Sequence, residues 1–191
     1  RRVYLDLIGR IPSGDETKRF FAAKEPDKRS RLINELLASN GHVSHMFNYW
    51  CDLLRAKDNL AEGVQGDFYL AWIKQSIRDN KPFDEWTREL LSPEGYGWRA
   101  PAAGYYLRDG ENRAANIEST ATLFLGTQIS CAQCHDHPYS RWTRKDYHQF
   151  LAWTSGIKTA SKEDAVGIVE AEKIREAAER YDRLAMTGMS Y

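Results

Sequence analysis

The chain has 191 residues, 42% apolar and 28% charged, with six Trp, ten Tyr and seven Phe, which excludes disorder over most of its length and allows one domain with a sizeable core or two small ones. Lys plus Arg balance Asp plus Glu at 27 each, which argues against a general nucleic-acid binder and leaves only local basic patches such as Arg141, Arg144 and Lys145. No apolar run approaches the roughly 20 residues needed to cross a bilayer.

The sequence shows no secretory signal but opens Arg-Arg-Val-Tyr rather than with Met, so it is expected to be a piece of a longer protein, and the missing signal says nothing about compartment. Ser13-Gly14-Asp15-Glu16 reads as a capping box opening a short helix through Phe20 and Phe21. Pro26-Asp27 opens a second helix, with Leu32, Ile33, Leu36 and Leu37 at helical spacing and Asn40-Gly41 as its end. A third runs from about Val43 to Lys57, striped by Met46, Phe47, Trp50, Leu53 and Leu54. Cys51 lies in this apolar run and is expected to be a buried free thiol, because three cysteines make no disulfide framework. After glycines at 63 and 66, Phe68, Trp72, Ile73 and Ile77 mark a fourth helix. Pro82 suits the first turn of a fifth, with Phe83, Trp86, Leu90 and Leu91 facing inward.

Residues 92–110 are rich in Gly, Pro and aromatic side chains and read as a long loop, either functional or pinned to the surface by its rings. A helix from about Asn112 to Leu125 follows, stopped by Gly126. Another covers roughly Thr143 to Trp153, ending at Gly156. Ser161 to Met186, rich in Ala, Glu, Lys and Arg, is expected to be a long charged helix, solvated or packed on a missing neighbour. The fold class is therefore all-α: an irregular multi-helix domain over 1–156, with a C-terminal helical extension over 157–191.

Between the last two core helices stands Cys131-Ala132-Gln133-Cys134-His135, the Cys-x-x-Cys-His attachment signature of a c-type haem. Two thiols add to the two vinyl groups of one porphyrin, and the neighbouring imidazole ligates its iron. Positions i, i+3 and i+4 share one side of a helical turn, so all three are able to face one flat cofactor. Cys131 and Cys134 are the expected thioether residues, and His135 the iron ligand with its other ring nitrogen donating to a carbonyl or carboxylate.

The segment continues Asp136-His137-Pro138, preceded by Phe124-Leu125-Gly126 and followed by Asp146-Tyr147. On these residues the chain resembles the planctomycete cytochrome-C-like domain family of unknown function, found in large, exported multidomain proteins. Arg2-Val3-Tyr4-Leu5-Asp6-Leu7-Ile8-Gly9 matches the family's opening, and Leu36-Leu37-Ala38-Ser39 and Trp50-x-Asp52-Leu53 fall in similar places. The resemblance covers the chain to about residue 156. It implies haem c, a redox partner protein or neighbouring domains of the same polypeptide, and a periplasmic or otherwise exported setting. His137 belongs to this pattern. It either supports the iron ligand or binds another metal, or it holds the Pro138 turn by hydrogen bonds. Asp136 orients His137, caps the following turn or is simply solvated.

A distal iron ligand is not identifiable. Met186, Met189, His45 and His148 are candidates, and five-coordinate iron is the alternative. Arg141, Trp142, Arg144 and Lys145 stand where haem propionates would be held, or form a solvated helix start. The competing reading is a structural or zinc-type metal site of Cys131, Cys134, His135 and His137, in an interaction or carbohydrate-associated module. A thioredoxin-like Cys-x-x-Cys needs a βαβ setting that a helical chain does not offer. Ser140 and Ser155 lack a nucleophile elbow, and no catalytic constellation is recognisable.

Overall fold

A computed structural model describes residues 1–60, 64–93, 100–110, 112–154 and the backbone of 157–158 and 167–168. Among these residues the chain is helical, with one short strand pair. The helices are α1 (Arg2–Ile8), α2 (Gly14–Ala22), α3 (Lys28–Leu37), α4 (Asn40–Leu53), α5 (Asp67–Arg78), α6 (Phe83–Leu91), α7 (Gly104–Leu107), α8 (Arg113–Leu125) and α9 (Arg144–Trp153).

Most boundaries follow from caps. The Ser13 hydroxyl accepts from Glu16 N, and the Glu16 carboxylate accepts from Ser13 N at 2.6 Å, so the capping box at the start of α2 is complete. α4 begins earlier than its apolar stripe. Ser39 Oγ accepts from His42 N at 3.2 Å, which converts Asn40-Gly41 from the end of α3 into the first turn of α4. α1 was not anticipated from the sequence. It packs on α3 and α4, and its Tyr4 is buried.

Of three apolar clusters among the described residues, two organise the packing. The larger joins Leu54, Tyr69, Ile73, Trp86, Leu90, Ala102 and Tyr105, with Trp50 and Trp72 at its margin. Trp50 meets Trp86 edge-on at 4.4 Å between centroids. Tyr69 and Ile73, one turn apart on α5, are both 0% exposed. Full burial of an Ile side chain contributes about 1.5–3 kcal/mol. The inward face of α6 is Trp86 and Leu90, whereas Phe83 is 55% exposed.

The expected loop over 92–110 is corrected in part. Residues 94–99 lie outside the described residues, but Pro101–Ala103 forms a 3-10 turn running into α7. Ala103, Tyr105 and Leu107 are buried, so this stretch is core rather than surface. The physical reason is that Pro101 and Gly104 act here as a helix start and a close approach, not as breakers. A Cβ on Gly104 would collide with the Tyr69 ring, and only a bare Cα lets α7 lie on α5.

The charged helix expected over Ser161–Met186 is also corrected where the backbone is described. Gly167–Ile168 pairs antiparallel with Ile157–Lys158. Gly167 lies in Val166-Gly167-Ile168-Val169, where glycine and β-branched residues disfavour helix and suit a strand. The rest of that expectation lies outside the described residues, as do Gly156, Met186 and Met189.

Candidate functional site

The second cluster carries the site. α8 starts on Asn112, whose side-chain oxygen accepts from Ala115 N, and stops at Gly126, left-handed at φ 62°. Thr127 N closes back on Ala121 O at 3.2 Å, a terminus that fixes the direction of the following chain. Ile129 then drives into Ile117, Ala121, Ala132 and Tyr147. Ser130–Gln133 forms a 3-10 turn against α9, and its inward residue is Ala132, 0% exposed.

With Ala132 buried, Cys131, Gln133, Cys134 and His135 are exposed. Cys131 O accepts from both Cys134 N and His135 N, each at 3.5 Å. This shared acceptor keeps the i, i+3 and i+4 positions on one turn. All three cysteines of the chain are free, and the thiols at 131 and 134 are the exposed ones.

The two motif histidines are held differently. His135 Nδ1 lies 2.7 Å from the Asp136 carbonyl. A carbonyl only accepts, so in the neutral ring Nδ1 carries the proton and Nε2 keeps its lone pair. His137 Nδ1 instead accepts from Tyr139 N at 3.1 Å, and its backbone N donates to Trp142 O at 2.8 Å. The neutral ring of His137 thus has its lone pair engaged in the Pro138 turn. Asp136 Oδ1 accepts from Arg144 N at 2.8 Å, joining the motif to the first turn of α9. That helix has its own capping box of Thr143 and Asp146, whose bonds hold the Asp146 carboxyl below its usual range.

Beneath the turn, the Tyr147 hydroxyl donates to Glu118 Oε1 at 2.9 Å, linking α9 to α8. Burial, with the Glu118 carboxylate next, pushes the Tyr147 phenol upward. Nothing in the local pattern marks Glu118 as a partner. The pair is 29 residues apart and meets only through packing.

The other candidates are not drawn into one cluster. Among the described residues, no three His, Cys, Asp or Glu side chains are grouped to hold a metal ion. The His45 ring lies under Gly9 at the end of α1, where a Cβ would sit 2.6 Å from Nδ1. His148 is on α9, its ring edge-on to Tyr147. Arg141 and Arg144 are exposed beside the motif. Cys51 is half-buried in α4, and burial raises its thiol to about 11.

These features define a helical domain whose second core displays a Cys-x-x-Cys-His turn to solvent. Residues 1–159 match the family model PSCyt2, a protein of unknown function (DUF1549), and the chain belongs to that family. No curated protein matches the chain, and neither does any solved structure. No helix among the described residues is long and apolar enough to cross a membrane.

Proposed function

We propose that the 131–135 turn attaches a c-type haem and that the domain carries electrons within a larger, exported protein. One observation supports this above the others. Cys131 and Cys134 are free, exposed thiols on the same turn as His135, whose ring is held with Nε2 bare. The donor set fits the group: two thiols for thioether bonds and one imidazole nitrogen for iron. A haem bound there supplies a one-electron couple.

The chain's own residues do the positioning. The Asp136 carbonyl holds the Nδ1 proton, which orients the imidazole and makes Nε2 more basic. Ala132 and Ile129 anchor the turn in the core, so its outer side is presented without reorganisation. Arg141 and Arg144 offer guanidinium groups to propionates. His137 secures the turn rather than the iron, because its lone pair serves Tyr139 N. The haem-bearing unit is 1–156, with 157–191 as an extension, and its partner is a redox protein or a neighbouring domain. The compartment is the periplasm or another exported site, where thioether formation takes place.

The test is maturation in a host that exports the apoprotein and attaches haem. The product is expected to show a covalent haem spectrum and a matching gain in intact mass, both lost in the Cys131→Ala, Cys134→Ala double variant. A bare polypeptide mass after such maturation would sink the reading. Metal analysis of the same sample separates iron from zinc, and stoichiometric zinc without haem replaces it with the structural metal site.

A further inference from the structure

A groove lined from α1, α2 and α3 shares no residue with the apolar clusters or with the 131–135 turn. It holds about 310 Å³, at the small end of the range that small-molecule sites occupy. Its apolar lining includes Tyr4 from α1, Phe20 from α2, and Leu32 and Leu36 from α3. Tyr4 and Leu36 are each 6% exposed, which gives the groove a fixed base.

Six charged side chains also line it, and four of them are engaged. Both Glu16 oxygens meet the Arg10 guanidinium. Lys28 Nζ donates to Ala23 O at 2.9 Å and lies 5.0 Å from the centre of the Phe20 ring. Arg31 and Glu25 stand 4.0 Å apart. That leaves Arg19 on α2 and Glu35 on α3, neither of which has a hydrogen bond or ion pair among the described residues. Both charges reach the Tyr4 hydroxyl. Burial and then Glu16 push that phenol upward, Arg10 opposes them, and Glu35 and Arg19 act with opposite signs.

The chemistry of the lining selects the occupant. A carboxylate suits the Arg19 guanidinium, an ammonium suits the Glu35 carboxylate, and the Tyr4 hydroxyl serves either. A simple anion satisfies Arg19 and is repelled by Glu35, and a simple cation meets the reverse. Exposed ion pairs are weak one at a time, so an apolar body that covers the base must add to them. We infer that this groove is a binding site for a zwitterionic amino acid with an apolar side chain. Its carboxylate lies on Arg19, its ammonium on Glu35 and its side chain on Phe20, Leu32 and Leu36.

Isothermal titration of the full chain with L-phenylalanine at neutral pH tests this. Phenylalaninamide, which lacks the carboxylate, and 3-phenylpropanoate, which lacks the amine, are titrated beside it. The expected result is saturable one-site binding of phenylalanine, weakened roughly tenfold or more for each analogue and in each of Arg19→Gln and Glu35→Gln. Both side chains are exposed, so neither substitution disturbs the core, and an unchanged Tm checks this. Three results overturn the inference: equal affinity for either analogue, unchanged affinity in both variants, or no saturable binding of phenylalanine at millimolar concentration.

Discussion

His135 and His137 stand two positions apart and carry their protons on opposite ring nitrogens, because one faces a carbonyl oxygen and the other an amide hydrogen. The difference decides which imidazole has a lone pair to offer. The cysteines divide in the same way. Cys131 and Cys134 are exposed, while desolvation in α4 raises the Cys51 thiol to about 11, leaving it protonated at neutral pH. With the apoprotein at pH 8, two of three thiols are therefore expected to react promptly with a thiol reagent and the third only on denaturation. Three equal rates would contradict the placement of Cys51. Motif spacing alone identified Cys131, Cys134 and His135 as candidates. It left the roles of Asp136 and His137 open, since hydrogen-bond partners eight and two residues away depend on the path of the Pro138 turn.

Local side-chain chemistry sets many of the helix starts. Where Ser13, Ser39, Asn112 and Thr143 stand, their side chains take an amide hydrogen of the first turn and the helix begins there. The capping box of α2 is reinforced by Arg10, whose guanidinium meets both Glu16 oxygens at 2.7 and 2.9 Å. This bond first, then those from Ser13, lowers the Glu16 carboxyl from 4.5 to about 2. A depressed folded value means a contribution present above about pH 4.5 and lost as pH falls toward 2. The difference in Tm between the parent and Glu16→Gln is expected to shrink across that window and to be smaller in high salt. A constant difference from pH 7 to 2 would refute the assignment. What local signals misplaced was the stretch 101–107, because Pro and Gly report only what the backbone tolerates. Whether Gly104 marks a break or a close approach depends on the Tyr69 ring from α5.

At the scale of the molecule, one cluster is built by α4–α7 and the other by α8, α9 and the turn at 130–133. α8 belongs to both. Its Thr120 meets Tyr105 at 2.7 Å on one side, and its Glu118 meets Tyr147 on the other. Gly104 sits where α7 crosses α5, so Gly104→Ala is expected to destabilise the whole domain, by roughly 1–3 kcal/mol or more for overpacking. Thermal unfolding is the measurement, and an unchanged Tm would mean that the two helices are not in close contact. The sequence by itself determined the helical class, most helix starts, the Cys-x-x-Cys-His motif and the family resemblance, because periodicity, caps and motif spacing act over a few residues. Only the tertiary structure decided that 101–107 is core, that Glu118 supports Tyr147, that Arg108 is sealed beside Asp109, and that Ala132 turns inward while both motif thiols face solvent. Those outcomes come from contacts between residues distant along the chain, where burial of rings and pairing of polar atoms outweigh local preference.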